Sequence, residues 1–296
     1  MTVPFRGSMS ELSPQKLRSR RYQRLTRDVY LLGSGEVSLR DRVMAARVVM
    51  PDAVACLQTA GVLLGLPVPD DGLVHLARSP SSHRTERPGV RVHRIELRVD
   101  EVQEIAGVPC TGGPRTLADL AARLTDEELV VAGDVVLRRW GADAVERAVN
   151  RMGGRRGARR LRTVVPLLDA GADSPPESRG RLRLHAAGFT RMQHGVVVRD
   201  EHGGWLCAPD LADELARVAW QHDGAVHFDK GVQQWRKDLA RDESARQRHW
   251  QVIQSTALDD VRPWLLVAKI EAAYERAAVL WGADVLPGHL RPRAQW

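Results

Sequence analysis

Polar and apolar positions alternate along residues 218–223 in the order Val218-Ala219-Trp220-Gln221-His222-Asp223, and this period of two predicts a buried strand that ends in polar side chains. Similar alternation predicts strands at 73–77, 90–95, 190–198, 205–210 and 250–255, with Gly203-Gly204 as a hairpin turn. Helical spacing fills the intervals. Ser38-Leu39-Arg40-Asp41 reads as a capping box that opens a helix to about Met50. A second helix is expected from Pro51-Asp52 through Leu57, Ala60 and Leu64, stopped by Pro67 and Pro69. Others are expected from Pro114, after the box Thr125-Asp126-Glu127-Glu128, at 142–152, 154–169, 175–187, 231–249 and 259–281. The predicted class is mixed α/β (α+β). It divides into an N-terminal winged-helix-like unit (1–70), an α/β middle domain (71–172) and a C-terminal αβββαβ core (173–296), with the last boundary at Asp173-Ser174-Pro175-Pro176.

Composition narrows the class. At 296 residues, 43% hydrophobic and 27% charged, the chain has enough apolar material for two or three cores. Neither a run of about 20 apolar residues nor the apolar stretch of a signal peptide is present, so no membrane association and a cytoplasmic location are expected. Cys56, Cys110 and Cys207 are odd in number and far apart, which predicts buried thiols without a disulfide partner or a zinc site. The net charge of +7 suits nucleic acid, but lysine is scarce and arginine abundant throughout. Where the arginines cluster is therefore more telling than the total.

One cluster lies near the N-terminus. Ser13-Pro14 reads as a helix start, followed by Lys16, Arg18, Arg20, Arg21 and Arg24. Tyr22-Gln23-Arg24-Leu25 and Val29-Tyr30-Leu31-Leu32 flank a turn at Thr26-Arg27-Asp28, giving a helix followed by a basic two-stranded wing. The segment resembles the N-terminal part of AbiEi-type antitoxins and their actinobacterial relatives, which implies DNA as a partner. A second run, Arg155-Arg156-Gly157-Ala158-Arg159-Arg160-Leu161-Arg162, reads equally as a phosphate track or as a solvated helix face. His75 and His93 are expected to meet across paired strands, as a structural pair without a third ligand.

The C-terminal chemistry centres on Pro209-Asp210, then Gln221-x-Asp223-Gly224-x-x-His227, then Trp235, Asp238 and Arg241. Oxygen side chains at the ends of adjacent strands suit a hard divalent cation. These residues resemble the core of the PD-(D/E)XK nuclease superfamily, most closely its very-short-patch-repair (Vsr-like) branch. The resemblance covers residues from about 174 to 270. It implies a Mg2+ (or Mn2+)-dependent endonuclease acting on DNA, in defence or repair. It assigns Glu177, Asp210 and Gln221 to the metal and Asp223 to a second cation or to His227. His227 is the implied general base or water positioner, and Arg236 and Arg241 the phosphate-binding groups. Gln221 stands where most relatives carry Glu, and an amide is a weaker ligand with one negative charge fewer. The alternative is a DNA-binding regulator or antitoxin-like protein in which the nuclease-like domain no longer cleaves.

Overall fold

Ser13, Ser38 and Thr125 start helices where the sequence places them. Ser13 caps helix α1 (Pro14–Leu17) by accepting from the Lys16 amide. Ser38 and Asp41 exchange hydrogen bonds at the start of α2 (Leu39–Val49), as two otherwise orphaned amide groups require. Residues 3–199, 202–222 and 248–291 are described by the computed structural model. The chain separates into two units, 1–168 and 169–296, with helices and sheets in both.

The first unit begins with a three-stranded antiparallel sheet in the order β1-β3-β2, made of β1 (Phe5–Arg6), β2 (Tyr22–Thr26) and β3 (Val29–Leu32). Asp28 turns the β2–β3 hairpin at φ 61°, a conformation Asp tolerates. Its carboxylate accepts from the Ser8 amide at 2.8 Å. A second, five-stranded sheet has the order β6-β5-β4-β8-β7. Its strands are β4 (Val54–Ala55), β5 (Val74–Arg78), β6 (Val90–Arg94), β7 (Val102–Ile105) and β8 (Val108–Thr111). Here the expected helix from Pro51 is corrected. Pro51-Asp52 forms a turn, and the short apolar run Ala53-Val54-Ala55 is drawn into the sheet between β5 and β8. The helix, α3 (Leu57–Leu63), starts only after it. Because β4 precedes residue 70 and pairs with strands after it, the two sheets belong to one unit.

Helices α4 (Gly113–Leu120), α5 (Asp126–Trp140), α6 (Ala142–Met152) and α7 (Ala158–Val164) complete this unit. The helix expected over 154–169 is shorter than its charge pattern suggested. Gly157 adopts φ 89°, so Arg155 and Arg156 lie in a turn, and a 3-10 turn at Val165–Leu167 follows α7.

In the second unit, α8 (Pro175–Ala186) is capped by Ser174. Strands β9 (Val198–Arg199) and β10 (Trp205–Cys207) form a hairpin. Strands β11 (Leu211–Asp213), β12 (Val218–His222) and β13 (Gln251–Ser255) form a sheet in that order, with β12 and β13 parallel. The unit ends in α9 (Ala257–Val261) and α10 (Pro263–Trp281). Two expectations are corrected. The strand expected at 190–198 is largely turn, with a single bridge from Gln193 to Ala212. The strand expected at 205–210 ends at Cys207 as β10, and β11 starts only at Leu211 in a different sheet, because Pro209 lacks the amide that would continue a ladder. Trp220, Leu184, Phe189, Met192, Ile270 and Tyr274 pack on one side of β12. Ala219 joins Val198, Ala212 and Trp250 on the other. Each cluster follows from the period-two alternation that the sequence carries through 218–222.

Among the described residues no helix is long and apolar enough to cross a membrane, and all three cysteines are free. Asp223, His227, Trp235, Arg236, Asp238 and Arg241 lie outside the described residues.

Candidate functional site

Asp210 sits immediately before β11, not at the end of a preceding strand. One position past the Leu211–Trp220 pair, it comes alongside the end of β12, and its Oδ2 accepts the His222 amide at 2.6 Å. Burial pushes the Asp210 carboxyl up to about 7, and the negative charges of Glu177 and Asp173 add to the shift against the His222 hydrogen bond. Glu177 thus lies within electrostatic reach of Asp210.

Glu177 reaches this place because α8 packs flat on β12. Gly180 lets the helix approach so closely that an added Cβ would stand 2.1 Å from Trp220 Cη2. The Glu177 carboxylate is engaged in the helix start, accepting from Ser174 Oγ at 2.6 Å and from the Asp173 amide at 2.8 Å. Gln221 alternates with Trp220 and so shares the Ala219 side of β12, whereas α8 lies on the Trp220 side. Among the described residues no three His, Cys, Asp or Glu side chains converge so as to hold a metal ion. With Glu177 engaged in capping and one Asp210 oxygen on a backbone amide, these residues do not present a ready divalent-cation cage.

Neighbours that carry no local sequence signal surround Asp210. Burial lowers the His194 imidazole pKa, against the pull of Asp169, Glu177 and the Asp210 carbonyl. Arg181, buried on α8, lies 3.9 Å from Asp169. His222 adds a contact of 3.1 Å between Nδ1 and Ser255 Oγ and lies 3.7 Å from Asp260. Asp213, also unforeseen, is buried and accepts from Tyr274 Oη and Arg191 Nε, both at 2.7 Å. That second carboxylate ties β11 to α10 and is structural.

The basic candidates occupy the first unit. Lys16, Arg18, Arg20, Arg21 and Arg24 are all exposed on α1, the following turn and β2, with Arg27 on the hairpin turn beside them. None of the six makes an ion pair with a described carboxylate; Arg24 Nε reaches only the Thr26 carbonyl, at 3.4 Å. In the arginine-rich run, Arg160 pairs with Asp126 at 3.0 Å and Arg162 donates to the Gly153 carbonyl, so part of that run is used internally.

His75 and His93 do meet. His75 Nδ1 lies 2.9 Å from His93 Nε2, with the rings stacked at 5.1 Å, and His75 Nε2 lies 2.9 Å from Asp71 Oδ2. With His75 Nε2–H donating to the Asp71 carboxylate, Nδ1 is the ring's acceptor and receives the hydrogen bond from His93 Nε2–H. Burial first, and then the charge of neighbouring groups, lowers His93 to about 4.

No family model matches the chain. It is similar to two uncharacterized proteins of Mycobacterium tuberculosis, one from each of two strains. Both are 28% identical over 250 residues, covering 82% of this chain and 89% of theirs. The aligned share exceeds the length of either unit, so the likeness spans parts of both.

Proposed function

We propose that the chain is a DNA-binding protein that grips the phosphate backbone through α1 and β2 of its first unit. The observation that carries this reading is the exposed set Lys16, Arg18, Arg20, Arg21 and Arg24, which no described carboxylate neutralises. A folded surface that leaves five cations unpaired on one short helix, the turn after it and the adjoining strand suits a polyanion, because released counterions supply the binding free energy. Hairpin and helix together resemble a wing, a common carrier of backbone contacts. The test is fluorescence anisotropy on a short duplex across a salt series. Reversing Arg18, Arg20 and Arg21 to Glu should weaken binding to every sequence alike, and the log–log salt slope should fall by about 0.9 for each lost phosphate contact. An unchanged slope would leave these arginines as a solvated face.

A second reading, phosphodiester hydrolysis at the second unit, is favoured by one observation: burial raises the Asp210 carboxyl to about 7, and the nearby Glu177 charge adds to that shift. Such a pair is characteristic of acid–base or cation chemistry. The proposed cofactor is Mg2+ or Mn2+ and the proposed ligands Glu177, Asp210 and Gln221. The described side chains do not close around a cation, so this reading requires Glu177 to leave its cap. Nicking of supercoiled DNA with Mg2+ or Mn2+, for the wild type and Asp210→Ala, decides it. Loss of nicking in Asp210→Ala with DNA binding retained supports it, and absence of both nicking and calorimetric metal binding in the wild type removes it.

A further inference from the structure

We propose that a second DNA-backbone site runs along the open edge of β6, in an arginine-lined groove separate from α1 and β2. Strand β6 ends its sheet: β5 is its one partner strand, and Val90 alone is also bridged by Arg87, so beyond Val90 one side of it faces outward. Along it runs a groove of about 880 Å³ lined by Arg84, Arg87, Arg91 and Arg94, with Glu86 as the single carboxylate. Glu86 is already paired with Arg84, at 2.6 Å. The groove therefore carries three cations in excess.

The individual arginines are poised differently. Arg94 is fixed, donating to the Pro80 carbonyl at 2.9 Å and to neighbouring carbonyls of the same loop, which orient its charge without neutralising it. Arg91 is exposed and makes no ion pair with a described residue. Arg87 bridges Val90 through its backbone, and its Nε is buried without a hydrogen-bond partner among the described residues. A buried charged donor left unsatisfied is destabilising, and an arriving phosphate oxygen would remove that penalty.

Placement favours DNA. Arg91 and Arg94 project from opposite faces of the edge strand and both line the groove, so positive charge wraps the edge as a polyanionic backbone laid along it requires. Arg87 also lies near the β2–β3 turn. The Asp28 carboxylate there is lowered mainly by its Ser8 hydrogen bonds, and also by the positive charge of Arg6 and Arg87. The groove itself is lined only by residues 84–94 and includes none of the β2–β3 hairpin. Edge strands often carry charge simply to repel other strands. That role needs no groove and no orphaned guanidinium nitrogen.

The proposal shares its partner class with the α1–β2 reading, and separate variants of the full chain distinguish the two. Binding of a 20-base-pair duplex is measured by anisotropy from low to moderate salt for wild type, R87A/R91A, R91E, R87K/R91K and the α1–β2 triple reversal. Thermal melting confirms the fold of each, and R91E, changing one exposed side chain, keeps the test valid if R87A/R91A is unfolded. The expected result is a slope reduced by about 1.8 in R87A/R91A, weaker binding in R91E, and a slope kept near wild type in R87K/R91K. Loss in these variants with none in the triple reversal supports the groove and overturns the α1–β2 reading alone. Wild-type slope and affinity in both R87A/R91A and R91E overturn the groove. Tight wild-type capture of an acidic peptide with no measurable duplex binding overturns it as well, in favour of a protein partner.

Discussion

Asp210 shows how far single residues determine what this chain does. Its carboxyl is held near 7, well above the value of about 3.9 for an unfolded Asp. A raised carboxylate keeps its proton in the folded state, so stability falls as pH rises from about 4 through about 7 and stays low above that. Asp210→Asn, which can still accept from the His222 amide, should therefore raise the melting temperature by several degrees at pH 8 and by nothing at pH 4. An equal effect at both pH values would show that the carboxyl is not held protonated. His93 works in the opposite direction. Held near 4 against about 6.5 when unfolded, it resists protonation, so stability is lost as pH falls from about 6.5 towards 4. His93→Gln should flatten that acid limb of the melting profile, and an unchanged limb would place the transition elsewhere. The motif pointed to Asp210 and Glu177, and strand alternation made the meeting of His75 with His93 legible. His194, Asp169 and Asp213 were not legible, because each reaches its partner through chain separations that no local pattern encodes.

Whole elements were legible where local chemistry agreed with their surroundings. The boxes at Ser38 and Thr125 fixed two helix starts through hydrogen bonds that need only three residues. Val54–Ala55 was not legible, since two residues become a strand only when β5 and β8 lie on either side. The break at Pro209 was written in the sequence, but the alternation around it outweighed the missing amide. Packing of α8 on β12 was equally hidden, and it rests on Gly180. In an isolated helix Gly→Ala gains up to about 1 kcal/mol. Here the new methyl meets the Trp220 ring at 2.1 Å, and overpacking costs typically about 1–3 kcal/mol. Gly180→Ala should accordingly lower stability in urea, while a gain would mean that α8 can slide away from the sheet.

At the scale of the molecule, chemistry and charge fall into different halves of the chain. The exposed cations of α1 and β2 and the groove along β6 belong to residues 1–168, whereas Asp210 and Glu177 belong to residues 169–296. The first unit also has its own buried side chains, including Met50, Leu76, Leu117, Leu129 and Leu161, as an independently folding domain requires. This separation makes a strong prediction. A fragment of residues 1–168 should melt cooperatively and bind duplex DNA with the same salt slope as the full chain, because every phosphate contact proposed for the described residues is retained. The Asp210→Ala full chain should match it, since Asp210 lies outside the contacting set. A fragment slope smaller than that of the full chain by about 0.9 or more would mean that the second unit contributes at least one phosphate contact of its own. DNA engagement would then have to be assigned to both halves. Equal slopes, with nicking present only in the full chain, would assign binding to the first unit and hydrolysis to the second.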